Sequence, residues 1–173
     1  NIDVSNAGNS ARTYTLKDTL QFAPGVALSG TTPVKVTLIN TGGTLPNGNT
    51  TGNQSLGTTM GTELTLSGAN VSIAAGSAAS PTVHSYKVEV QFTTSSTVAA
   101  TDLACQASTA NKGLYNTARL ADSASATLGN PTNACAPVPA TPVLKVSKKV
   151  LNVTATSVKY EIKVTNEGTG VGT

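Results

Sequence analysis

The sequence predicts an all-β sandwich, and three observations predict it. Apolar and polar residues alternate with period two in several separate stretches, the pattern of half-buried strands. Valine and threonine are abundant while charged residues make up 11% and aromatics 3%, a composition suited to pleated surfaces. Clusters of glycine, asparagine, serine and proline fall between the alternating stretches, as turns between short strands require. No stretch carries a sustained 3.6-residue stripe; a short helical turn around residues 99–107 is the exception.

Tyr14, Leu16 and Leu20 share a strand face with Asp18, opposite Thr13, Thr15, Lys17 and Thr19. Asp18 is therefore a charge on an apolar face, to be satisfied at a turn or edge or by a buried partner such as a lysine. Val34, Val36 and Leu38 alternate with Lys35 and Thr37. Residues 40–61 are dense in glycine, threonine and asparagine, with Pro46, Asn47 and Gly48 as a turn signal, and predict a loop or an edge hairpin. Leu64 with Leu66, and Val71 with Ile73, mark two short strands, followed by a small-residue loop. The clearest strand sets Tyr86, Val88, Val90 and Phe92 against Lys87, Glu89, Gln91 and Thr93. Residues 114–120 form another. Pro137, Pro139 and Pro142 hold an extended linker, because each fixes its backbone and removes a donor. After it, Val158, Tyr160, Ile162 and Val164 alternate with Lys159, Glu161, Lys163 and Thr165. The organisation is a sandwich body (1–136), a linker (137–142) and C-terminal strands (143–173).

At 173 residues, one domain or one domain with an appendage is expected. No apolar run approaches the ~18 residues of a bilayer span, which predicts a soluble chain without membrane insertion. The net charge of +3 lies entirely in the C-terminal part. Residues 1–139 balance six basic against six acidic side chains, whereas Lys145, Lys148, Lys149, Lys159 and Lys163 face only Glu161 and Glu167. A pI near 9.0 raises nucleic-acid binding, but the lysines form no patch with interleaved aromatics. They decorate a solvated strand surface.

Cys105 and Cys135 are an even pair in a polar, secreted-looking chain, which favours a disulfide and an oxidising compartment. The alternative is two buried thiols. A metal site has little support, since His84 is the sole histidine. His84 beside Ser85 lacks any marked orienting carboxylate or oxyanion donors, and its plain reading is a polar residue at a strand edge. The eight acids are dispersed, without a calcium-loop spacing. Neither an enzyme nor a cofactor is expected. The sequons at Asn49, Asn53, Asn70 and Asn152 are unremarkable in a chain so rich in threonine and asparagine.

The end of the chain restates its beginning. At a constant offset of 160 residues, Ile2 falls on Ile162, Val4 on Val164, Asn6 on Asn166, Gly8 on Gly168 and Thr13 on Thr173, with Ser5 against Thr165. Such a module is either a slice of a tandem array or a subunit that joins head to tail.

Val143-Leu-Lys-Val-Ser-Lys-Lys-Val150, followed by Ser157-Val-Lys-Tyr-Glu-Ile-Lys-Val-Thr-Asn-Glu-Gly168, resembles the opening two strands of the prealbumin-like surface-repeat family. These are repeats of unknown function in large bacterial and archaeal cell-surface proteins. The family's D-x-L-x-x-G-V segment has its counterpart in Asp18, Leu20, Gly25 and Val26, and its late N-T-A strand in Asn116, Thr117 and Ala118, which Cys105 and Cys135 bracket. The resemblance implies an extracellular, Ig-like (prealbumin-like) β-sandwich used as a structural spacer, with no catalytic residues.

In that order of motifs, residues 1–137 lack the first strand and most of the second, which occur only after the linker. The expectation is a C-terminal strand pair that completes the sheet of the next module or subunit, presenting Leu144, Val146 and Val150 on one strand and Val158, Tyr160, Ile162 and Val164 on the other. Burying the last four is worth on the order of 6–12 kcal/mol before ordering costs. A heterologous contact of this kind builds filaments unless its rotation closes. The expected partner is another copy or an adjacent repeat. A runner-up reading is an adhesin or ligand-binding module using the 40–61 loop. A further candidate is a lysine–asparagine isopeptide bond between Asn116 and Lys145, Lys148 or Lys149, with Glu89 or Asp18 promoting it; Lys148 stands out because it shares the face of Leu144, Val146 and Val150.

Overall fold

The computed structural model describes residues 1–95, 98–106, 109–140, 142–168 and 170. The strands are β1 (Ile2–Asn6), β2 (Arg12–Leu20), β3 (Val26–Leu28), β4 (Val34–Leu38), β5 (Asn53–Leu56), β6 (Glu63–Thr65), β7 (Val71–Ile73), β8 (Thr82–Val90), β9 (Phe92–Thr94), β10 (Leu114–Ala121), β11 (Thr127–Ala136), β12 (Leu144–Val153) and β13 (Val158–Asn166). One helical turn, α1 (Ala100–Leu103), lies between β9 and β10. Ala107, Thr141 and Thr173, which the sequence reading touched, are outside the described residues.

The fold is an all-β sandwich. One antiparallel sheet runs β1-β8-β4-β5 and the other β11-β10-β2-β6, with β7 also pairing β2. Val4, Val34, Val36 and Tyr86 from the first layer meet Tyr14, Leu16 and Leu20 from the second in one core. The alternation dictates this: every second residue of β2 turns inwards, so Tyr14, Leu16, Asp18 and Leu20 are all at most 2% exposed. β12 and β13 form a separate two-stranded sheet.

Four features depart from the alternation or refine it. The run through Phe92 breaks at Gln91, whose N–H donates to the Pro33 carbonyl, and Phe92 joins β9, paired with β3. There its ring meets Phe22 edge-on at 6.0 Å. Residues 53–56 of the 40–61 segment form an edge strand on β4, and Leu45 within it is fully buried. β11 has no alternation to betray it. Nearly all of it is exposed, and its pairing with β10 shifts register between Ala118 and Leu120, the stretch facing Pro131, a residue tolerated in edge strands and bulges.

His84 is the fourth, and corrects the strand-edge reading. It is 4% exposed, on the inner face of β8, where the Tyr14 hydroxyl lies 2.8 Å from its Nδ1 and 2.8 Å from the Tyr86 hydroxyl. Three polar tips satisfy one another inside the core, and burial lowers the histidine's pKa and raises those of both tyrosines.

Cys105 and Cys135 are joined in a disulfide, tying the segment after α1 to the end of β11. The proline segment begins docked on the body: Val138 is 4% exposed and its N–H donates to the Leu103 carbonyl at 2.9 Å.

Candidate assembly interface

The two layers leave one side of the sandwich open. β1 is the edge of the first sheet and β11 the edge of the second, and a trough runs between them. At one end a cleft of ≈ 380 Å³ is lined by Ile2, Val88, Val90, Asn116 and Ala118, among others. It continues past Val4, Leu120 and Leu128 to Asn6, Tyr14 and Ile73.

The edge is incomplete because β1 is shorter than its neighbour. β8 has nine residues and β1 five. β1 covers β8 from Thr82 to Tyr86, with Ile2 opposite Tyr86 and Asn6 opposite Thr82. On the other side β4 pairs with Tyr86 to Val90. Residues 87–90 thus have no strand on their β1 side among the described residues, and the half-buried Val88 and Val90 face the cleft.

The β12–β13 hairpin carries an apolar face of its own. Its register sets Val146 opposite Val164, Lys148 opposite Ile162, Val150 opposite Tyr160 and Val153 opposite Val158. Directly opposed residues project to the same side, so these side chains and Leu144 make one face. Lys145, Ser147, Lys149, Lys159, Glu161 and Lys163 make the other. The first face is apolar apart from Lys148 and, opposite Leu144, Asn166, yet it is bare: Val146 is 72%, Tyr160 50%, Ile162 64% and Val164 64% exposed. An isolated two-stranded hairpin is marginal in water, and an apolar patch of this kind marks an interaction surface.

The sequence repeat is also a structural repeat. Asn6 Oδ1 accepts from the Gly8 N–H at 3.0 Å while its Nδ2 donates to the Ser10 carbonyl. Asn166 Oδ1 accepts from the Gly168 N–H at 3.0 Å while its Nδ2 donates to the Gly170 carbonyl. The end of β13 therefore turns as the end of β1 turns.

Asn116 and Asp18, two members of the isopeptide candidate set, are brought together. Asn116 Nδ2 donates to Asp18 Oδ2 at 3.1 Å, where β10 pairs with β2. Asp18 Oδ1 has no hydrogen-bond partner among the described residues. Desolvation pushes the Asp18 carboxyl up to about 6, partly opposed by the Asn116 hydrogen bond. The other members are elsewhere. Glu89 lies on the solvent face, bonded to Lys87 at 2.9 Å, which removes it as promoter. Lys145 and Lys149 sit on the hairpin's polar face, paired with Glu167 and Glu161. Lys148 has its Nζ 4.1 Å above the Tyr160 ring. Its position on the exposed hairpin does not bring it to Asn116 of its own chain.

Among the described residues, no group of three or more His, Cys, Asp or Glu could hold a metal, and no helix is long and apolar enough to cross a membrane. The disulfide fits an oxidising compartment. Comparison with protein-family models, with curated proteins and with solved structures found no match.

Proposed function

We propose that the protein is a structural building block of an extracellular filament or cell-surface array, joined head to tail by β-strand complementation. The observation that carries this is a register. Substituting β13 for β1 through the 160-residue repeat puts Ile162 opposite Tyr86 and Asn166 opposite Thr82. Tyr160 then faces Val88 and Val158 faces Val90, so the nine residues of β13 cover the nine of β8 from end to end. The inner-face apolar residues fill the cleft that the short β1 leaves open.

The outer face supports the same register. It sets Lys159 opposite Glu89 and Glu161 opposite Lys87. Directly opposed unlike charges stabilise a strand pair and like charges destabilise it. A slip of two residues keeps the faces but sets Glu161 against Glu89. β12 then becomes the outermost strand of the completed sheet. The geometry is the same for a following module of one polypeptide and for a second copy of the chain. Main-chain hydrogen bonds supply strength and alternate side-chain pockets supply register, as in strand addition generally. The resemblance to prealbumin-like surface repeats is consistent with a spacer role.

Electron microscopy of the assembled protein tests this reading. The expected image is a filament whose axial repeat is one sandwich body, and Tyr160→Asp abolishes it. Monomeric wild-type particles at every concentration and pH would reject it.

A further inference from the structure

Resting on that strand-complementation reading, we infer that the junction is locked covalently by an isopeptide bond between Lys148 of one module and Asn116 of the next. Lys148 is opposite Ile162 in the hairpin, and Ile162 takes the place of Ile2. Ile2 and Asn116 line the same cleft. The register thus carries the lysine on the hairpin's apolar face to the wall where Asn116 lies. A lysine reaching inwards from one layer and an asparagine from the other together span the ~10 Å between stacked sheets.

Burial makes the lysine's position demanding. An ammonium enclosed in a sandwich is costly unless it is paired or neutralised. Among the described residues, Asp18 is the buried group with spare capacity: 1% exposed, one oxygen without a partner there, the other on the Asn116 amide nitrogen. Asp18 is thus placed beside the nitrogen that must leave. Losing water favours the neutral forms of both the amine and the carboxyl.

The step balances without a co-reactant. The Lys148 amine attacks Asn116 Cγ and forms a C–N bond. The Asp18 carboxyl gives its proton to the departing amide nitrogen and takes one from the attacking amine. The Cγ–Nδ2 bond breaks, ammonia leaves, and Asp18 ends as it began. This is nucleophilic attack by a desolvated lysine assisted by an adjacent acid.

The test is peptide mass spectrometry of the assembled full-length chain, with boiling in detergent as a companion. The expected result is a branched peptide joining the Lys148 and Asn116 segments, lighter than their sum by one ammonia, with junctions that survive boiling. Lys148→Arg keeps the charge and the exposed hairpin, and is expected to abolish the branched peptide while filaments still form and now dissociate in detergent. Asn116→Ala is expected to do the same. Wild-type filaments that fall apart in detergent and yield no branched peptide overturn the bond and leave strand complementation standing; an ion pair between Lys148 and Asp18 would look like this. A wild-type chain that never assembles overturns both.

Discussion

Asp18 is the residue whose chemistry most departs from its surroundings. Its carboxyl, ordinarily near 3.8, is raised to about 6 because burial penalises the anion. A group protonated more readily in the folded state adds stability below its unfolded pKa and loses it as pH rises through the folded value. The unassembled protein is therefore expected to lose on the order of 2 kcal/mol between pH 4 and pH 7 that Asp18→Asn does not lose. Denaturant titration of both proteins across that range measures it; parallel curves would contradict the assignment. A second residue-scale expectation concerns Tyr14. Its hydroxyl serves both His84 and Tyr86, so Tyr14→Phe takes a buried partner from His84 and leaves Tyr86 its Thr44 backbone bond, and should cost ~1–3 kcal/mol by the same titration. The tyrosine–histidine cluster was not legible in the sequence, because alternation tells which residues turn inwards and not which polar tips meet there. Asp18 was legible as the odd residue on its face; that its partner is Asn116 and no lysine of its own chain needed the β2–β10 register.

At the scale of elements, the strands with one buried face announced themselves: β2, β4 and β8 each alternate, and each lies inside its sheet. The missed strand β11 lies at an edge, exposed on both sides, where packing asks for no pattern. β12 and β13 alternate as clearly as core strands, yet are almost wholly exposed. Alternation without burial is what the proposed complementing hairpin would show before it is docked. Polar substitution there should act on assembly alone. Ile162→Asp is expected to abolish polymer while leaving the melting temperature of the unassembled chain within a degree or two, checked by light scattering and calorimetry. The disulfide is a separate element: it closes a loop of sequence separation 30, worth ~3–4 kcal/mol on the chain-entropy model. Cys105→Ser with Cys135→Ser should lose about that much, and an unchanged denaturation midpoint would contradict it.

For the whole molecule, the sandwich holds a closed core beside an open flank, and its hairpin pairs only with itself among the described residues. Under the proposed strand complementation these two surfaces would form a directional contact that propagates. A chain ending at residue 140 is expected to stay monomeric and to bind a synthetic peptide spanning 143–168. Binding the folded state alone raises its melting temperature, by roughly 5–10 °C at a hundredfold excess over the dissociation constant. An adhesin using the 40–61 segment predicts no such shift. The repeat between residues 1–8 and 161–168 was visible in the sequence, but its meaning was not. The lengths of β1, β8 and β13, together with the charges across them, are what the proposed register rests on.

The most direct test of that fit is disulfide trapping between Lys159→Cys and Glu89→Cys, placed in separate copies of the chain and mixed under mild oxidation. The register predicts rapid cross-linking of that pair and far slower cross-linking of Lys159→Cys with Lys87→Cys. Equal yields from both pairs, or none from either while the copies remain associated, would contradict the account.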